Sequence, residues 1–92
     1  MIVLVIETAS EKLRGELTRW FMEAKPGIFV GNASKVVRDI LWEKICEDKV
    51  RKGALLFFSS DSEQGFVIQM CGEPTRRVID ADGVQLIQVV DT

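Results

Sequence analysis

Ile2-Val3-Leu4-Val5-Ile6 is an unbroken aliphatic and β-branched run, and it predicts a buried strand at the start of the chain. Ser10 is a candidate helix N-cap, and Glu11 suits the positive helix end. Leu13, Leu17, Trp20 and Phe21 recur at i, i+4, i+7 and i+8, predicting a helix to about Glu23 with Trp20 and Phe21 in the core. Lys12, Arg14, Glu16 and Arg19 lie off that stripe, and Pro26-Gly27 stops the helix. Ile28-Phe29-Val30 predicts a short strand turned by Gly31 and Asn32. Asn32 or Ser34 caps a second helix that runs to near Lys49 and buries Val36 or Val37, Ile40, Leu41 and Ile45, with Trp42 at the edge of the stripe. After a break at Lys52-Gly53, Ala54–Ser59 and Phe66–Cys71 read as a β-hairpin around the polar turn Asp61-Ser62-Glu63-Gln64-Gly65. Gly72-Glu73-Pro74-Thr75 reads as a loop, Asp82-Gly83 as a turn and Val84–Val90 as a final strand.

This order places two helices on one face of a mainly antiparallel sheet: an α+β ferredoxin-like plait with an extra C-terminal strand. A regular plait has two strands between its helices. Gly27–Asn32 is too short for two, so one bent strand is expected there. Residues 1–83 form the plait and residues 84–92 a C-terminal strand. Val84, Leu86 and Val90 on one face, and Ile87 and Val89 on the other, make that strand apolar on both sides. Such a strand is a hazard as an open edge, and it is expected to add to a partner's sheet, either a twin or another protein.

Composition narrows the chemistry. Ninety-two residues make one domain, with a formal net charge of −2, so affinity for phosphate must come from local clustering. The absence of His excludes His-based triads, a His general base and His metal ligands. Cys46 and Cys71 are too far apart for a CxxC motif. They are expected to be reduced, buried and inert, which fits a cytoplasmic protein. The apolar run at Met1–Ile6 is too short to span a bilayer and lacks a basic flank, so neither membrane nor export is expected.

Glu7, at the end of the first strand, is either a solvated acid or half of a Mg²⁺ site that a two-fold axis completes with a second Glu7. Arg76 and Arg77, with Lys12, Arg14 and Arg19, are either solvated charges or a strip that tracks a nucleic-acid backbone through guanidinium forks. Lys49, Arg51 and Lys52 suit a helix C-terminus, and Asp80 and Asp82 suit a turn better than a cation site. Trp42 stacks on a base or, more simply, packs. Gly15 inside a helix costs up to about 1 kcal/mol relative to Ala, which suggests that another chain or a nucleic-acid backbone comes close there.

Lys12-Leu13-Arg14-Gly15-Glu16-Leu17, Trp20, Gly27-Ile28-Phe29-Val30-Gly31-Asn32-Ala33-Ser34, Arg38-Asp39-Ile40-Leu41-Trp42-Glu43, Gln64-Gly65-Phe66, Arg76-Arg77 and Asp80-Ala81-Asp82-Gly83 follow one another across nearly the whole chain. The series resembles the second CRISPR-associated adaptation protein, in its type I-E form. The resemblance implies a ferredoxin-like homodimer that bridges two dimers of the CRISPR integrase subunit. The complex captures a short duplex prespacer and inserts it into the CRISPR array, an antiviral function. It further implies that Lys12, Arg14, Arg76 and Arg77 contact the duplex, and that Val84, Leu86, Ile87, Val89 and Val90 dock on the integrase. The family also carries a Mg²⁺-dependent endonuclease activity on RNA or DNA, assigned to an acid at the end of the first strand. Here that position is Glu7, a longer carboxylate than the Asp of many members, so scaffolding is the expected main role and autonomous cleavage the alternative.

Overall fold

The computed structural model describes residues 1–7, 9–47, 53–72, 76–81 and 84–89, with the backbone alone at 76–79, 81, 88 and 89. The expected loop at 73–75, the Asp82-Gly83 turn, the Lys49, Arg51 and Lys52 cluster, and Val90 lie outside the described residues. The elements are β1 (Ile2–Ile6), α1 (Glu11–Leu17), β2 (Met22–Lys25), β3 (Ile28–Gly31), α2 (Lys35–Glu47), β4 (Ala54–Ser59), β5 (Phe66–Cys71), β6 (Arg76–Ala81) and β7 (Val84–Val89). The main sheet has the order β2-β3-β1-β4-β5, and β6 and β7 form a separate two-stranded sheet. Each neighbouring pair is antiparallel. This is the expected α+β plait, with β5 added on the β4 side.

The region between the helices differs from the sequence reading. α1 ends at Leu17, not near Glu23. Ser10 starts it as expected, its hydroxyl accepting from Leu13 N–H at 3.1 Å. At the far end the Thr18 hydroxyl bonds the Gly15 carbonyl, and the N–H groups of Trp20 and Phe21 both reach Leu17 O. The chain thereby curls into a turn that sends Phe21 into the core and leaves Trp20 49% exposed, so Trp20 is not a core residue. Two strands follow where one was expected. Met22–Lys25 has no clear apolar alternation, and its pairing with β3 makes it a strand, with an irregularity between Glu23 and Lys25.

Pro26-Gly27 joins these strands. Gly27 has φ 84°, and a Cβ there would lie 2.4 Å from the Ile6 carbonyl oxygen. Only glycine fits this turn, which lets Ile6 N–H donate to Gly27 O at 2.8 Å. Gly31 makes room for the Phe21 ring, which a Cβ would meet at 2.8 Å.

α2 starts at Ser34, whose hydroxyl accepts from Val37 N–H at 3.2 Å. It buries Leu41 and Ile45, while Val37 and Trp42 pack at the margin of the core. The expected burial of Ile40 does not occur, and of the pair Val36 and Val37 it is Val37 that turns inward. Val36 is 67% and Ile40 49% exposed, because the inward stripe follows 37, 41 and 45. The core lies between the helices and one face of the sheet, around Leu4, Ile6, Leu13, Leu17, Phe29, Leu41, Ile45 and Leu56. Among the described residues no polar side chain is buried in it.

The other sheet face carries no helix yet is also apolar. Met22, Val30, Val3, Phe57 and Ile68 align across the strands in one row, and Ile28, Val5, Leu55 and Met70 in the next. Residues paired across a ladder share a face, so this surface follows from the register.

Cys46 and Cys71 form a disulfide, with Cα atoms 5.8 Å apart and a sequence separation of 25. This corrects the expectation of two inert thiols. Cys46 is exposed near the end of α2, and Cys71 lies half-buried at the end of β5. Spacing arguments exclude local motifs, but only the fold brings two distant elements together. The bridge also withdraws the cysteine argument for a reducing compartment. No helix is long and apolar enough to cross a membrane among the described residues.

Candidate nucleic-acid and partner interface

The basic residues of α1 meet acids on neighbouring elements. Arg14 Nε lies 3.4 Å from Glu23 Oε2, and the same carboxylate oxygen accepts from Gly27 N–H at 3.0 Å. Glu23 thus ties α1 to the β2–β3 turn, with the Arg14 side chain still 45% exposed. On the next turn Glu16 pairs with Lys44 of α2. The hydrogen bond from Lys44 holds the Glu16 carboxyl below its ordinary value, aided by the positive charges of Lys44, Lys12 and Arg19. Lys12, Leu13, Glu16, Lys44 and Glu47 line a cleft of about 300 Å³ between the two helices.

The result is a mixed-charge surface with exposed cations. Lys12 and Arg19 are exposed, and Arg14 keeps part of its guanidinium at the surface. Of the residues expected to grip a duplex, α1 carries Lys12 and Arg14 but turns them apart: Lys12 lines the cleft toward α2, whereas Arg14 reaches Glu23 of β2. Lys44, on the facing helix, adds a cation that the sequence reading did not single out; the fold, not spacing, puts it beside Glu16. Arg38 is held differently. Its guanidinium stacks 3.7 Å from the centroid of the Phe58 ring and pairs with Asp39 at 3.3 Å, with 17% of the side chain exposed, so it acts as packing.

Arg76 and Arg77 open β6, opposite Val89 and Gln88 of β7. The sequence reading had no strand at 76–81, because Val78-Ile79 is too short an apolar run to signal one. The side chains of both arginines, and so their relation to α1, lie outside the described atoms. β7 pairs with β6 of its own chain, so it is one strand of a hairpin rather than a lone tail. Val84, Leu86 and Ile87 are 42%, 45% and 40% exposed on it. The side chain of Val89 is not described.

Glu7 is exposed just past the end of β1. Among the described residues no group of three or more potential metal-ligating side chains occurs. One carboxylate does not meet the octahedral oxygen demand of Mg²⁺, so the described residues of one chain do not by themselves make a site for this ion. Trp42 packs beside the core instead of offering a base-stacking platform.

Two glutamines escaped the sequence reading as structural parts. Gln64, in the β4–β5 turn, and Gln85, in β7, bond each other and the edge of β5. The available signal was a polar residue inside the apolar run Val84-Gln85-Leu86-Ile87.

A comparison with protein-family models matches residues 1–86 to one described as CRISPR-associated protein (Cas_Cas2CT1978). The match spans both helices, the whole main sheet, the hairpin strand β6 and the start of β7. With the plait topology, the cations of α1 and the terminal acid of β1 already placed, the chain belongs to this CRISPR-associated family.

Proposed function

We propose that this protein is a spacer-acquisition subunit of a type I-E CRISPR system, acting as a homodimeric scaffold on duplex DNA. Family membership supplies the CRISPR setting. The observation that carries the scaffold reading is the helix-free apolar face of the main sheet. Leu55 and Ile68 on this face are already buried, but Met22 and Met70 are exposed and Val3, Val5, Ile28, Val30 and Phe57 half-buried, and covering that open part is favoured at about 25 cal/mol per Å² removed from water. A second copy covers such a face with its own equivalent.

Pairing by a two-fold axis doubles every cation. Lys12, Arg14 and the Arg76-Arg77 pair then present two matched strips to the phosphate rails of a prespacer duplex, a kind of contact that carries no base code. The exposed apolar side chains of β7 dock on the integrase subunit, which supplies the bond-making chemistry.

The test joins mass to salt dependence. Sedimentation should give twice the chain mass, and Met22→Asp combined with Val30→Asp should halve it. Replacing Lys12 and Arg14 by Ala should flatten the slope of log affinity for duplex DNA against log salt by about 0.9 per lost contact. Removing residues 84–92 should abolish co-purification with the integrase. A monomeric wild type, or an unchanged salt slope, defeats the reading.

The exposed Glu7 supports a second reading, an autonomous Mg²⁺-dependent nuclease whose metal site needs Glu7 from both copies. Mg²⁺-dependent cleavage lost in Glu7→Ala, together with lost spacer uptake, favours the nuclease. Uptake that survives Glu7→Ala favours the scaffold.

A further inference from the structure

β5 is the outer strand of the main sheet, and its ladder with β4 sets Ile68 opposite Phe57. The main chain of Ile68 is satisfied on its outer side by one side chain. Ile68 N–H donates to Gln85 Oε1 at 2.8 Å, and Gln85 Nε2 donates to Ile68 O at 3.0 Å. A carboxamide therefore stands where the peptide of a neighbouring strand would. The main chain of Gln85 is held in the same manner. Its N–H donates to Gln64 Oε1 at 2.8 Å, and Gln64 Nε2 donates to its carbonyl at 2.6 Å.

Each glutamine thus makes a two-point amide pair with a peptide of another segment. All four bonds are partly buried, which strengthens them relative to bonds in open water. The chemistry is selective. Glutamate has no donor when ionised and lysine has no acceptor, whereas glutamine offers one of each on a planar fork. Asparagine has the same fork but is one methylene shorter.

We propose that Gln64 and Gln85 are positioning residues, a relayed amide clasp in which Gln64 holds the main chain of Gln85 and Gln85 holds that of Ile68, fixing the β6–β7 hairpin against the outer edge of the main sheet in one register. The clasp also occupies the outward peptide of Ile68, which would otherwise be open to a foreign strand. It depends on neither DNA nor a second copy. That it sets the place of Arg76, Arg77 and the apolar β7 surface relative to the basic helix rests on the function proposed above.

The test is amide exchange in the full chain, followed by NMR and corrected for intrinsic rates. In Gln85→Leu the Ile68 amide should exchange about tenfold faster or more, as expected for losing a hydrogen bond worth about 1 kcal/mol together with its partner bond. In Gln64→Leu the Gln85 amide should respond in the same way. Gln85→Glu adds a readout that a merely space-filling role would not move. At pH 7 its carboxylate still has an acceptor for Ile68 N–H, but its second oxygen faces Ile68 O with no proton between them, and that repulsion opens the two-point clasp. Toward pH 4 the neutral acid again offers an acceptor and a donor, and Ile68 protection should return. Asp80 is the acidic residue across the ladder from position 85. Wild type measured at both pH values cancels the titration of other groups. Wild-type protection of Ile68 in Gln85→Leu, or no recovery in Gln85→Glu at low pH, overturns the clasp. If Gln85→Leu does not fold, Gln64→Leu and Gln85→Glu carry the test.

Discussion

The main sheet with its two helices and the C-terminal hairpin are held by different physics. In the first, Phe29 and Leu56 are sealed between sheet and helices, and every strand joint is a backbone ladder. In the second, the ladder is internal to β6 and β7, the described apolar side chains of β7 stay near half exposed, and among the described residues two glutamine side chains bond the hairpin to the main sheet, where β6 also lies near β5. Packing over many contacts gives one cooperative unit. A joint of a few polar bonds, each worth about 0.5–1.5 kcal/mol net, sets orientation without adding much stability. The hairpin is thus built to be placed, and the body to be permanent.

The largest expected effect tests that contrast directly. Phe29 is fully buried opposite Leu4. Phe29→Ala should cost about 3–5 kcal/mol, much of the stability of a domain this small. Ile87→Ala, on the exposed hairpin surface, should cost less than about 1 kcal/mol. Urea midpoints measure both. Comparable losses would mean that the hairpin shares the core's cooperativity, and the contrast would fail.

The disulfide comes next. It closes a loop of 25 residues between α2 and β5, inside the body. Loop-closure entropy gives about 3 kcal/mol for such a bridge. Replacing Cys46 and Cys71 together by Ser should lower the urea midpoint accordingly, and a reductant should have the same effect on wild type but none on the variant. An unchanged midpoint under reduction would show that packing alone holds α2 on the sheet.

Sequence was a good guide where local chemistry decided structure, and a poor one where partners did. The run Ile2–Ile6, the cap at Ser10 and the hairpin Ala54–Cys71 were all legible, because apolar pattern and turn residues specify them locally. β2 was not, since Met22–Lys25 becomes a strand only by pairing with β3 across the Gly27 turn. β6 was hidden in the same way. Trp20 and Ile40 were misplaced because a helical stripe was carried a turn too far in one case and shifted by a residue in the other. For the interface, Lys12, Arg14 and Glu7 could be nominated from position. The Glu16–Lys44 pair, the glutamine joints and the disulfide all join residues distant in sequence, so only the fold reveals them.

Gly15 gives the smallest effect and bears on what the surface of the body is kept clear for. It lies between Arg14 and Glu16 on α1, and a Cβ built there meets nothing within 4 Å. No packing among the described residues therefore asks for glycine, and helix propensity alone argues for Ala by up to about 1 kcal/mol. Gly15→Ala should raise the urea midpoint slightly. If the gap admits a phosphate backbone between Lys12 and Arg19, the same methyl should weaken duplex binding at low salt while leaving the sedimented mass unchanged. A variant that is stabilised and binds DNA as wild type would leave the cations of α1 acting at longer range, with no close approach of the duplex to the helix backbone.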